Sequence, residues 1–182
     1  FFFFFVKNLP AGKKKGLTPV LLRNDDHFFV LDERTARANT YFNCLFISLH
    51  ANSAANCSAS GIETFYIDHY LFQPSALLSH VYNRWEHSRQ LAVQVHNTLI
   101  QTLNQTYEIK NRKVKRAVPI VLLGTFCPGI LIELGFLTNE HEAQLLGSQE
   151  YQVALASTIC NGILKFVKSL QKDSNYDTFI HA

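Results

Sequence analysis

The 182-residue chain has no methionine, a single tryptophan and no long apolar run. A membrane-spanning helix needs roughly 18 consecutive apolar residues, so the sequence predicts no integral membrane segment. The missing methionine predicts a processed or truncated start. Phe1–Val6 is too short for the apolar part of a signal peptide and has no basic stretch before it, so we expect no signal peptide in this chain.

Cysteine is scarce and scattered, which argues against a cysteine zinc knuckle. None of Cys44, Cys57, Cys127 and Cys160 forms a C-x-x-C pair. The even count permits two disulfides in more than one pairing, although a domain of this size does not need them. Cys44 and Cys160 lie in apolar segments and are predicted to be small buried residues. The cysteine pattern therefore does not distinguish an oxidising from a reducing compartment.

The net charge of +3 comes with two basic runs, Lys13–Lys15 and Lys110–Arg116. Neither run contains the interleaved aromatic residues on which nucleic-acid bases stack. A solvated loop or helix end is therefore favoured, and we expect no nucleic-acid partner. A mildly basic surface would equally suit an anionic polymer such as a cell wall.

The remaining composition, 47% hydrophobic and 17% charged, predicts one domain over residues 1–182. A long helix is expected over 84–105, with Leu91, Val95, Leu99 and Leu103 on one face, and another over 149–170, with an apolar stripe that includes Ala156. Asp32 is expected to cap a short helix to Ala38, and Asn139 with Glu142 resembles a capping box. Strands are expected at 17–23 (buried), 44–49, 62–67 (half-exposed), 119–123 and 128–132. This order predicts an α/β fold: a single domain with a mostly parallel twisted sheet flanked by helices on both faces.

Two ionisable residues each follow directly on an apolar strand. His50 closes the run 45–49, and Glu133 closes the run 130–132. In open α/β sheets ligands gather beyond the carboxyl ends of the strands. Burial there would raise the pKa of Glu133 toward neutrality, as a general base requires, and neutral imidazole is a common metal ligand. The alternatives are a core histidine and a structural ion-pair partner.

Other residues offer weaker chemistry. His27 beside Asp25 and Asp26 could form a metal cluster, but a solvated turn is favoured. The remaining histidines show no metal-ligand spacing. Ser48, placed on the opposite side of the strand from His50, is not expected to pair with it in catalysis.

Three ordered segments carry a family resemblance, together with shorter matches around Arg23, Ser88 and Arg112. They are Phe46-Ile47-Ser48-Leu49-His50-Ala51-Asn52, Ser60-Gly61-Ile62-Glu63-Thr64-Phe65-Tyr66, and the stretch from Pro128 through Glu133-Leu134-Gly135-Phe136 to Asn139. The series resembles the zinc-dependent N-acetylmuramoyl-L-alanine amidases over roughly residues 12–170. That family cleaves the amide between N-acetylmuramic acid and the L-alanine of the stem peptide in peptidoglycan.

The resemblance implies a site and a cofactor. The family's zinc is held by two histidines and a glutamate, and His50 matches the second of these histidines. Glu133 matches the glutamate that moves the proton from water to the leaving amine. Asn52 is a candidate substrate contact, with a loop-capping role as the equal alternative. The partner implied is peptidoglycan, in the periplasm or outside the cell; the sequence identifies no activator protein.

The N-terminal part departs from the family pattern. The first zinc histidine and the ligand glutamate should precede the segment that begins at Leu17, but residues 1–16 contain neither residue type. The first strand and first metal-binding motif are therefore expected to be missing, and the status of residues 1–11 is uncertain. We expect weak zinc binding or none. A non-catalytic or degenerate peptidoglycan-binding relative is the alternative function.

Overall fold

A computed structural model describes residues 2–8, 17–22, 30–41, 44–68 and 79–171. Within these ranges the chain forms six strands and five helices. In chain order the elements are β1 (Phe2–Asn8), β2 (Leu17–Leu21), α1 (Leu31–Ala38), β3 (Cys44–Asn52), β4 (Ile62–Tyr66), α2 (Ser79–Leu103), β5 (Asn111–Arg116), α3 (Ile120–Leu123), β6 (Gly129–Phe136), α4 (Glu140–Gly147) and α5 (Gln149–Leu170).

The strands form one six-stranded sheet in the order β2-β1-β3-β6-β4-β5. Its directions are mixed: β3–β6 and β4–β5 are parallel, whereas β1–β2, β1–β3 and β4–β6 are antiparallel. The predicted α/β class is confirmed, but the prediction of a mostly parallel sheet is wrong. Continuous apolar runs indicate that both faces of a strand are buried, and they do not encode strand direction.

Helices cover both faces of the sheet, as predicted. Leu45, Ile47 and Ile132 point toward α2 and α5, where the predicted stripe Leu91, Val95, Leu99, Leu103 is buried. The other face carries Phe46 and Leu131 against residues of α1 and α3 and against Trp85. We call these the α2/α5 face and the α1/α3 face. Successive strand residues alternate between them.

Helix α5 is long and apolar enough, by length and composition alone, to cross a membrane. In the fold it is a core helix, because Leu155, Ile159, Ile163 and Phe166 are buried in the cluster shared with α2. Its predicted bounds are confirmed. Ala156 and Cys160, which were expected to face inward, are exposed.

Four predicted elements need correction. Strand β2 lies at the edge of the described sheet and is largely exposed, Leu21 by 48%. Strand β4 is buried rather than half-exposed because both faces of the sheet are covered there, Ile62 packing on one face and Phe65 on the other. The predicted strand 119–123 is a helix, since a short apolar run fits a buried turn equally well. The basic segment 111–116, expected as a solvated loop or helix end, is a strand whose charges suit an exposed edge.

The helix caps follow the sequence only in part. Asn139 accepts a hydrogen bond from the Glu142 backbone N–H, as predicted for α4. Helix α1 instead begins after Val30, which provides no side-chain cap, so the predicted cap by Asp32 is wrong. The Glu142 carboxylate turns inward and accepts from the backbone N–H groups of Gly61 and Phe136, both at 2.7 Å. It thereby ties α4 to the start of β4 and the end of β6.

Gly61 is required at the entry to β4. Its φ of +110° is rare for other residues, and an added Cβ would lie 2.3 Å from the carbonyl oxygen of Lys110. That carbonyl accepts a hydrogen bond from the Ile62 N–H at 3.0 Å. The glycine therefore lets β5 approach the beginning of β4, which fixes the position of Glu63.

Cys44 and Cys127 form a disulfide that joins the start of β3 to the segment before β6. Cys57 and Cys160 are free and exposed. The prediction that Cys44 is buried is correct, but the cysteine spacing alone did not identify its partner. The prediction that Cys160 is buried is wrong.

Candidate functional site

Three ionisable residues lie side by side across the middle of the sheet. The Cα register pairs His50 of β3 with Glu133 of β6, and Glu133 with Glu63 of β4. Strand alternation places all three on the α1/α3 face, in phase with Phe46, Leu131 and partly buried Phe65. His50 and Glu133, each predicted to follow an apolar run, are brought together by this register. Both residues lie within strands rather than beyond the strand ends, because β3 and β6 are longer than expected.

His50 is held by its neighbour on the same strand. Its Nε2 atom forms a 2.6 Å hydrogen bond with Ser48 Oγ. The prediction that Ser48 points away from His50 is wrong, since strand residues two apart lie on the same face. Burial is the main reason why the pKa of His50 falls to about 4, so the imidazole is neutral at pH 7.

Glu133 is the most strongly perturbed carboxyl group of this face. Burial raises the pKa of Glu133 to about 7, and the negative charge of Glu63 adds to the effect. Its Oε2 atom is buried and has no hydrogen-bond partner among the described residues. A carboxyl group with this pKa exchanges a proton readily near neutral pH, which is what a general acid–base group does.

Glu63, in contrast, is surrounded by donors. Its Oε2 accepts from Arg112 Nε at 2.9 Å and from Lys115 Nζ, and its Oε1 accepts from Asn52 Nδ2 at 2.9 Å. Burial by itself would raise the pKa of Glu63, but the hydrogen bonds from Lys115 and Arg112 outweigh it and hold this pKa below the usual value. Glu63 is therefore ionised at neutral pH.

Asn52 supports this arrangement from the end of β3. Besides its contact with Glu63, its Oδ1 accepts from the Ser53 N–H at 2.8 Å. The second contact fits a loop-capping role, which was predicted from the sequence as the alternative to a substrate contact. Substrate contact by Asn52 stays a prediction.

The described residues do not fit a zinc site. Structural and catalytic zinc sites use at least three protein ligands. In the described ranges no group of three or more His, Cys, Asp or Glu side chains converges in this way. His50 is the one imidazole in the row of His50, Glu133 and Glu63, which we call the central row, and its Nε2 atom is hydrogen-bonded to Ser48 Oγ. The alternative cluster around His27 lies outside the described residues.

Sequence reasoning missed Glu63 as a functional residue and the ion pairs that reach it. One signal was available. Glu63 alternates with Ile62 and Thr64, so its side chain faces the other side of a sheet that was expected to be covered by helices on both faces. The two cations that neutralise it lie about fifty positions later, in a segment that was not expected to be a strand.

Comparisons with known proteins identify a family. A family model described as N-acetylmuramoyl-L-alanine amidase matches residues 12–165. An uncharacterised Bacillus subtilis protein, YqiI, is 38% identical over 165 residues, which cover 91% of this chain and 67% of that protein. The B. subtilis N-acetylmuramoyl-L-alanine amidase LytC is 30% identical, and the match covers 84% of this chain but only 27% of LytC.

The fold has solved counterparts. The N-acetylmuramoyl-L-alanine amidase AmiC2 of Nostoc punctiforme superimposes with a TM-score of 0.66 at 32% identity. The match covers 82% of this chain and 72% of that one.

Proposed function

Since this chain belongs to the N-acetylmuramoyl-L-alanine amidase family, we propose that it hydrolyses the amide between N-acetylmuramic acid and L-alanine in peptidoglycan. The observation that carries the proposal is the central row, where His50 and Glu133 are Cα partners on one sheet face. Cell-wall remodelling or cell separation is the corresponding biological role.

Glu133 is the proposed catalytic residue. With its pKa near 7, the carboxylate accepts a proton from the water that attacks the scissile carbonyl, and the carboxylic acid returns it to the departing amine. Both forms are populated at neutral pH, so one group serves both steps. No covalent intermediate is needed, which is consistent with Ser48 being fully buried.

Zinc is the cofactor that the family implies, and His50 is the residue that would bind it. Imidazole binds metals in its neutral form, and the low pKa of His50 keeps it neutral. The described residues provide no complete ligand set for the metal. We expect clearly less than one zinc per chain in the purified 182-residue protein, measured by elemental mass spectrometry. One zinc per chain would contradict this expectation.

The proposed place of action is the cell envelope, in the periplasm or outside the cell. The disulfide between Cys44 and Cys127 supports this placement, since such bonds persist mainly in oxidising compartments. Peptidoglycan is the proposed partner.

The test is cleavage of purified peptidoglycan by the native protein. The expected products are stem peptides with new L-alanine amino termini, identified by mass spectrometry, together with glycan strands that lack those peptides. Release of sugars without new amino termini would contradict the assignment, as would the absence of any product.

The second candidate is a peptidoglycan-binding relative without activity. The observation that favours it is the lack of three converging metal-ligand side chains among the described residues. Such a protein would sediment with insoluble peptidoglycan and release no peptide from it. Measuring sedimentation and release on the same sample separates the two candidates.

A further inference from the structure

Beside the central row, the described part of β5 carries more positive charge than its acidic neighbours balance. Arg112 and Lys115 share one carboxylate, Glu63, so this group of three keeps one net positive charge. Arg116 lies 3.7 Å from Asp68 and is balanced by it. Lys113 within the strand and Lys110 just before it add exposed charge.

The two shared cations are accessible and oriented. The side chains of Lys115 and Arg112 are 40% and 28% exposed, whereas that of Glu63 is 5% exposed. The Arg112 guanidinium lies 4.9 Å from the centre of the Phe136 ring, and the Lys115 ammonium lies 5.8 Å from that of Phe65. These contacts, with Glu63 beneath, hold both groups at the surface of the sheet.

Both groups retain hydrogen-bond donors. An ammonium has three N–H donors, and Glu63 receives one from Lys115. Arg112 uses Nε for Glu63 and Nη1 for the Ser60 carbonyl, and its Nη2 donates no hydrogen bond to another described residue. A second carboxylate could therefore bind to the same pair, because charge and donors remain for it.

We propose that Arg112 and Lys115 form a subsite for a carboxylate of the peptide part of the substrate. The inference rests on the proposed amide hydrolysis. It places the peptide side of the scissile bond over β4 and β5. Both cations meet Glu63 on β4, and neighbouring strands are about 4.8 Å apart, so the charges lie about one strand spacing from the strand of Glu133. An extended peptide rises about 3.3 Å per residue, so the recognised carboxylate belongs to about the second residue from the scissile amide.

The test is equilibrium binding of two synthetic peptides to the native protein, followed by NMR titration. The probes are a tripeptide that begins with L-alanine and carries free carboxylates, and the same tripeptide with its carboxylates amidated. We expect the free acid to bind about fivefold tighter, the range of a partly exposed ion pair. Lys115→Gln should remove this preference, whereas Lys110→Gln, on an exposed lysine that does not contact Glu63, should keep it.

The outcomes are distinct. Equal affinity for the two peptides, an unchanged preference in Lys115→Gln, or no saturable binding of either peptide would overturn the subsite. Lys115→Gln retains Arg112 and Asn52 on Glu63, so thermal unfolding should show an intact fold. The assay needs no catalysis: a carboxylate preference without peptidoglycan cleavage would refute only the proposed hydrolysis, and cleavage without a preference would refute only the subsite.

Discussion

Glu133 and Glu63 are Cα partners on adjacent strands of the same sheet face, yet their carboxyl groups differ in ionisation. The pKa of Glu133 rises to about 7, and that of Glu63 falls below the usual value. Burial acts in the same direction on both. The difference comes from cationic donors, since Glu63 receives hydrogen bonds from Lys115 and Arg112.

The comparison shows how a sheet can place a proton-exchanging group beside a fixed charge. Two cations pair with Glu63, which lies one strand away from Glu133, and the negative charge of Glu63 contributes to the raised pKa of its neighbour. A carboxyl group whose pKa lies near 7 therefore needs burial without nearby hydrogen-bond donors. Arg112 and Lys115 donate to Glu63, and Oε2 of Glu133 receives no hydrogen bond from the described residues.

The largest expected effect is on catalysis at Glu133. We expect Glu133→Gln to lower stem-peptide release by about a hundred-fold to ten-thousand-fold, because an amide cannot exchange the proton. The measurement is the rate of new L-alanine amino termini from peptidoglycan. The control is Glu140→Gln, an exposed glutamate of α4, which should keep the native rate. Retained activity in Glu133→Gln would remove Glu133 from the mechanism.

The free energy of unfolding should depend on Glu63 more than on Glu133. Glu63→Gln should lower the free energy of unfolding by roughly 1–3 kcal/mol, because two cations and an amide lose a charged acceptor. Glu133→Gln should cost nothing or stabilise, because it removes a buried carboxyl group that lacks donors in the described structure. Urea unfolding measures both, with exposed Glu108→Gln as the control. Equal losses of unfolding free energy in the two variants would contradict the proposed difference between Glu63 and Glu133.

The pH dependence of unfolding sharpens the same contrast. The contribution of Glu63, whose folded pKa is lowered, is present above its usual pKa and is lost as pH falls through the folded value. The contribution of Glu133 is present below pH 4.5 and is lost as pH rises through about 7. Between pH 4.5 and 7, we therefore expect Glu133→Gln to gain stability relative to the native protein, by at most roughly 1.4 kcal/mol per pH unit. A flat difference over this range would contradict the raised pKa.

The smallest expected effect is at Asn52. Replacing it by alanine removes the neutral donor from Glu63 and the acceptor for the Ser53 N–H, which should cost about 1 kcal/mol. Asn97→Ala, at an exposed position of α2, is the matched control for thermal unfolding. If Asn52→Ala unfolds like the native protein, Glu63 depends on its cations alone.

Much of the architecture was accessible from periodicity. The apolar stripe of α2 and the bounds of α5 follow from helical spacing, and the positions of His50 and Glu133 on two strands follow from apolar runs that end in ionisable residues. Segment 119–123 was not predictable in this way, because four or five apolar residues fit a strand and a buried turn alike. The strand at 111–116 was hidden because its basic composition, typical of an exposed edge, also suits a turn.

The sequence by itself determined the α/β class, the family, and the two residues His50 and Glu133 that lie at the centre of the sheet. Local spacing and ordered motifs are properties of the chain, and they need no partner to be recognised. Only the tertiary structure decided the strand directions, the pairing of Cys44 with Cys127, and the opposite ionisation of Glu63 and Glu133. These depend on residues far apart in the chain, and a carboxyl group's pKa is set by the donors and solvent around it rather than by its neighbours in sequence.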